Sequence, residues 1–113
     1  MSTSRRLNFV IVGGGPPGVE LAGAMAEIRT TVLKHEYREL DSDKMMIHLI
    51  DSGDRLLRSF SEKSSAKALT YLQDMGVHVN FGVRVTGMDG DRVTFMDGST
   101  METNTVIWAA GVR

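Results

Sequence analysis

Apolar and polar positions follow two rhythms along this chain, one repeating every second residue and one every three to four. Leu7 to Val12 (LNFVIV) is short, β-branched and apolar on both faces, the pattern of a central parallel strand covered from two sides. Gly18, Ala22, Met25 and Ala26 then share one helical face, with Leu21, Met25, Ile28 and Val32 as an adjoining apolar stripe, so a helix is expected to lie close on the sheet. Thr30 to Asp43 is more polar, with Tyr37 and Leu40 as its apolar anchors; it reads as a helix extension or as a separate excursion.

Met45 to Ile50 (MMIHLI) reads as a second strand ending in the turn-forming cluster Asp51-Ser52-Gly53-Asp54. Ser59 and Glu62 have capping-box spacing, Ala66, Leu69, Leu72 and Met75 repeat at helical intervals, and Gly76 supplies a stop. Val77 to Phe81 is the expected third strand, and strand, helix, strand, helix, strand implies right-handed parallel crossovers. Val83 to Met88, Arg92 to Met96 and Ser99 to Glu102 are short extended runs joined at Asp89-Gly90 and Asp97-Gly98, both hairpin-turn dipeptides. Thr105 to Ala109 returns as an apolar strand. The fold class expected is α/β: a Rossmann-like parallel sheet flanked by helices, with a small antiparallel meander before the last strand, in one domain spanning residues 1–113.

Composition narrows the partners. Thirteen Lys and Arg face fourteen Asp and Glu, so no broad basic field exists to gather nucleic acid or anionic lipid. The absence of cysteine removes disulfides, thiolate metal sites and dithiol redox chemistry from this segment and fits a reducing cytoplasm. No apolar run approaches a membrane span, and Met1 to Arg6 is not followed by the apolar core of a signal peptide, so no membrane contact is expected of this segment.

The chemistry concentrates in Gly13-Gly14-Gly15-Pro16-Pro17-Gly18, between the first strand and the first helix. Gly13 turns the chain, Gly15 allows backbone to approach a pyrophosphate, and Gly18 permits close helix–strand packing, while helix N-terminal N–H groups and the helix dipole face the phosphates. The spacing alone matches many glycine-rich turns; the strand before it and the helix after it are the context a dinucleotide requires. Pro17 suits a helix start but neither Pro16 nor Pro17 has an N–H, which leaves Gly14, Gly15, Gly18 and Val19 as the expected donors. Asp51, at the end of the second strand, is placed to accept hydrogen bonds from ribose hydroxyls and to repel the phosphate that distinguishes NADP; the lesser alternative is a turn or helix-cap carboxylate. It lies farther from Gly18 than the roughly 20 residues usual for this pair, an excess the Thr30 to Asp43 excursion accounts for. Arg55 and Arg58 could reach a 2'-phosphate or pair with neighbours such as Asp54. Glu20 is expected in the first helical turn, favoured there by the dipole or facing a ligand. His35, His48 and His78 lack metal-ligand spacing and read as solvent-facing or hydrogen-bonded. Trp108 and the eight methionines read as packing residues.

FVIVGGGPPGVELAGAMAEI, LIDSGDRLL and VIWAAGVR, in that order across nearly the whole chain, resemble the NADH-binding segment of type II NADH dehydrogenases, FAD-containing NADH:quinone oxidoreductases of the two-dinucleotide-binding-domain flavoprotein family. The resemblance implies an NAD(H)-binding lobe set into an FAD domain, with hydride passing from NADH to FAD and electrons to a membrane quinone. It places Gly13, Gly15 and Gly18 on the pyrophosphate, Asp51 where the family usually has Glu on the ribose, and Glu20 toward the nicotinamide and flavin. Ala110 and Gly111 match the return to the FAD domain near the nicotinamide end. Pro17 stands where the family commonly has Thr. The expectation is a domain excised from a longer enzyme peripheral to the cytoplasmic face of the inner membrane, which alone binds NADH weakly and turns nothing over. Three other readings share features: the NAD lobe of a ferredoxin, nitrite or disulfide reductase, a free-standing NAD or adenine-nucleotide sensor, and an S-adenosylmethionine methyltransferase core, for which the meander and AAGVR are poor matches.

Overall fold

The computed structural model describes residues 7–33, 45–89 and 91–109. Strand β1 (Leu7–Val12) leads into helix α1 (Pro16–Ile28), which ends in a π-helical turn (Arg29–Leu33). Strand β2 (Met45–Ile50), helix α2 (Glu62–Asp74) and strand β3 (His78–Asn80) follow, then strands β4 (Val85–Asp89), β5 (Arg92–Phe95), β6 (Thr100–Glu102) and β7 (Thr105–Trp108). Most of the Thr30 to Asp43 excursion, with Tyr37 and Leu40, lies outside the described residues, as does Gly90.

The parallel sheet has the order β3-β2-β1-β7, and β4-β5-β6 form the antiparallel meander. β1 is thus central, as its two-sided apolarity implies. Alternation along it divides the core: Ile11 packs with Ala22, Ala26, Ile47, Leu49 and Leu72 on the helix side, while Val10 and Val12 pack with Ile50, Val93 and Phe95 on the meander side. The result is three layers, helices on one face of the parallel sheet and the meander on the other. Burial of the valine, leucine, isoleucine and phenylalanine side chains among these, each worth about 1.5–3 kcal/mol, fixes which residues reach the sheet's carboxyl edge.

Several expectations need correction. Ile28 is 55 % exposed, because the row of α1 that meets the sheet runs through Gly18, Ala22, Gly23 and Ala26 and turns Ile28 away. α2 is capped by Ser61, whose side chain accepts from the Ser64 N–H, and not by Ser59 with Glu62. The cause is a turn just before it, closed by the Phe60 N–H on the Leu57 carbonyl at 2.8 Å, which delays the helix by two residues. Ala66 is exposed; Ser65 takes the buried position, its hydroxyl donating to the Leu56 carbonyl at 2.6 Å. Met88 and Met96 lie on the surface, so the methionines are not uniformly core. The stop at Gly76 (φ 86°) forms as expected, with the Val77 N–H returning to the Leu72 carbonyl. The Asp97-Gly98 hairpin also forms, Asp97 Oδ1 accepting from the Ser99 N–H and hydroxyl.

Candidate functional site

The glycine- and proline-rich segment Gly13 to Gly18 is a strand-to-helix bend at the centre of the sheet's carboxyl edge. Gly13 has φ 121°, a left-handed conformation that glycine adopts without steric cost, and its N–H ties the bend to the Ile50 carbonyl at 2.8 Å. A Cβ on Gly18 would overlap the Gly13 carbonyl, so α1 can begin this close to β1 only with glycine there. A Cβ on Gly14 would approach Leu56 Cδ2 at 2.8 Å, whereas one on Gly15 meets nothing nearer than Pro17 Cδ at 3.9 Å. Gly13, Gly14 and Gly18 therefore serve packing, and the open side of the bend lies at Gly15.

Donor accounting changes the expected anion site. Gly15 is the N-cap of α1 and no side chain caps the helix; Pro16 and Pro17 occupy the first two helical positions. Pro16 thus begins the helix one residue earlier than expected, and Glu20 falls in the second turn, exposed, rather than in the first. The Val19 N–H is spent on the Gly15 carbonyl at 3.0 Å and the Gly14 N–H on Asp51 at 2.9 Å. Among the described residues only the Gly15 and Gly18 N–H groups of this bend meet no acceptor, Gly18 being buried and Gly15 partly exposed, so two donors, not four, remain unspent.

Asp51 stands at the end of β2 beside this bend. Its Oδ1 accepts from Gly14 and its Oδ2 from the Gly53 N–H at 2.8 Å, so both oxygens are anchored by backbone and each retains a lone pair toward solvent. Leu56 and Leu57 close over the same turn, the Leu57 N–H donating to the Gly14 carbonyl at 2.9 Å. Arg55 is folded back on its own loop, donating to the Arg58 and Phe60 carbonyls at 3.0 and 3.2 Å, and does not pair with Asp54. The Arg58 guanidinium lies against Gly53.

A cleft of about 300 Å3 opens beside the bend, lined by Val12, Gly13, Asp51, Ser52, Arg84 and Trp108 among others. Trp108, expected in the core, is 52 % exposed. It is the last residue of β7, paired with Val12, where the edge strand runs out at the carboxyl end of the sheet and no further layer covers it among the described residues. Its position one step before the loop at a parallel strand's carboxyl end is the signal that sequence reading passed over. Ala110 and Gly111 lie outside the described residues. A larger pocket of about 420 Å3 adjoins the cleft under the meander, around Phe95, Met96 and Met101, and contains no part of the glycine bend.

His48 and His78 do not line the cleft, and His35 lies outside the described residues. His48 and His78 pair in register across β2 and β3 with rings stacked at 5.2 Å, and His48 Nε2 lies 3.1 Å from Asn8 Oδ1. Burial first, and the nearby His78 second, push the His48 pKa down. No helix among the described residues is long and apolar enough to cross a membrane.

A parallel sheet whose central strand bends through glycines into a helix, with an acidic residue closing the next strand and an antiparallel layer behind, defines the Rossmann-like α/β class. The chain belongs to the pyridine nucleotide-disulphide oxidoreductase family, whose sequence model matches residues 2–113. It is 34 % identical over 113 residues to the type II NADH:quinone oxidoreductase Ndh of Mycobacterium tuberculosis, covering 96 % of this chain and 24 % of that protein. It is 32 % identical over 108 residues to the type II NADH:quinone oxidoreductase of Haemophilus influenzae, with the same coverage. The solved structure of NDH2 from Plasmodium falciparum in complex with NADH superposes with a TM-score of 0.88 at 23 % identity, over 96 % of this chain and 23 % of that one. A ferredoxin reductase from Rhodopseudomonas palustris superposes less closely, with a TM-score of 0.71. The chain thus spans about a quarter of the length of the relatives it matches, and along nearly all of its own length it is homologous to type II NADH:quinone oxidoreductases.

Proposed function

We propose that this chain is the NAD(H)-binding lobe of a flavin-dependent NADH dehydrogenase. The observation that carries the reading is the bend itself: two N–H groups without an acceptor, of Gly15 and Gly18, next to a backbone-anchored carboxylate, Asp51. The N–H pair and the N-terminus of α1 hold the diphosphate, and the free lone pairs of Asp51 accept from the adenosine ribose. Retention of Arg55 by its own loop, and the charge of Asp51, favour NADH over NADPH. The family resemblance assigns Glu20 to the nicotinamide end, together with Ala110 and Gly111, which lie outside the described residues.

In the parent enzyme, FAD held chiefly by other segments would supply the hydride acceptor, and a quinone at the cytoplasmic face of a membrane would be the final electron acceptor. Homology to quinone reductases over 96 % of the chain supports that branch over the ferredoxin reductases. In this reading the segment's own residues bind and orient the dinucleotide, and the chain alone transfers nothing. Calorimetric titration with NADH, NADPH, FAD and S-adenosylmethionine tests it. NADH should bind, NADPH more weakly, and the other two not measurably; preference for FAD or S-adenosylmethionine would overturn the assignment.

A further inference from the structure

Strand order sets where each half of a dinucleotide must run. The bend follows β1, Asp51 follows β2 on one side of it, and Trp108 ends β7 on the other. The chain builds outward from β1 through β2 to β3, then crosses back to place β7 against the opposite edge of β1, which makes the gap between β1 and β7 the topological switch point. With the diphosphate over β1 and the adenosine over β2, the second nucleoside is directed over β7.

Trp108 is what it meets there. The indole is half-exposed, ends the strand that pairs with Val12, and lines the same cleft as Gly13 and Asp51. A large aromatic surface left open in a ligand cleft is a stacking platform for a flat heteroaromatic ring. Resting on the dinucleotide reading above, we propose that Trp108 is the binding residue for the nicotinamide half of NADH, forming the wall against which that ring lies. The division of labour is then Asp51 for the adenosine ribose, Gly15 and Gly18 for the diphosphate, and Trp108 for the redox-active ring.

Trp108 is the chain's single tryptophan, so binding at this wall has its own optical signal. Binding of NADH should quench its fluorescence, and calorimetry with NADH and with ADP-ribose, which lacks the nicotinamide, separates the two halves of the ligand. The unsubstituted chain should bind NADH more tightly than ADP-ribose. Trp108→Ala should cost about tenfold in NADH affinity and leave ADP-ribose affinity within about twofold, while Trp108→Phe recovers most of the loss. Urea midpoints for both variants establish that each is folded. Equal affinity of the unsubstituted chain for the two ligands, or a proportional loss of both in Trp108→Ala, overturns the role of Trp108 and leaves the dinucleotide reading standing. Absence of binding by either ligand overturns the dinucleotide reading and this role together. Unchanged NADH affinity in Trp108→Ala also overturns it and assigns the exposed indole to contact with another part of the longer enzyme.

Discussion

The backbone N–H of Gly14 is held by Asp51 Oδ1 at 2.9 Å, so the acidic residue at the end of β2 shapes the glycine bend before any ligand arrives. The other oxygen takes the Gly53 N–H, and one carboxylate thereby joins the two loops that flank the ligand site. The side chain proposed to recognise the ribose thus also holds the loop architecture.

Replacement of Asp51 should therefore lower stability as well as affinity. Asp51→Asn keeps one acceptor oxygen and leaves one of the two N–H groups without its partner, a loss of about 1–2 kcal/mol; Asp51→Ala leaves both and should lose about 2–3 kcal/mol. Urea denaturation without ligand measures this. A midpoint for Asp51→Ala equal to that of the unsubstituted chain would show the carboxylate to be a ligand group alone.

The glycines of the bend should separate into two kinds. In Gly18→Ala the new methyl overlaps the Gly13 carbonyl, a clash with backbone that costs about 2–3 kcal/mol because neither partner can swing aside. Gly15→Ala places its methyl in open space at φ −78°, an ordinary conformation, and should leave the unfolding midpoint nearly unchanged. Its effect should fall on NADH, whose affinity should drop about tenfold as the methyl fills the approach to the Gly15 N–H. Equal unfolding midpoints for the two variants would contradict this division.

Pro17→Thr should tighten NADH binding. The second helical position carries no N–H in this chain, and threonine restores one beside the unspent donors of Gly15 and Gly18. Pro17 is exposed, so its removal sacrifices no core contact. One added hydrogen bond to an anion predicts an affinity gain of about fivefold to tenfold. Equal or weaker affinity by calorimetry would mean that the diphosphate does not lie over the start of α1.

Much of this was legible in the residues. The two-sided apolarity of Leu7–Val12 marked a central strand, and the change from helical spacing to short extended runs marked the meander, because both patterns follow from burial that local sequence encodes. What escaped reading depends on contacts between distant segments. The cap of α2 moved to Ser61 because the Phe60–Leu57 turn competes for the residues before it. Gly14 lost its role as a phosphate donor to Asp51, a partner that only the β1–β2 register brings near. Trp108 reads as core by composition, and only the end of an edge strand leaves it uncovered.

Acid should destabilise the fold through His48. This side chain on β2 faces Asn8 of β1 and the stacked ring of His78 on β3, and burial together with the His78 charge disfavours its protonation. Its folded pKa lies below the unfolded value of about 6.5, so between the two values the unfolded chain binds the extra proton. Stability is then complete above about pH 6.5, declines as pH falls through that value, and levels off once His48 is protonated in the folded state as well. Urea midpoints measured from pH 7.5 to pH 5 follow the decline. His48→Gln should flatten that part of the profile, and His78→Gln should reduce it less, since it removes the neighbouring charge but leaves the burial. A slope as steep in His48→Gln as in the unsubstituted chain would place the acid sensitivity elsewhere than in this histidine.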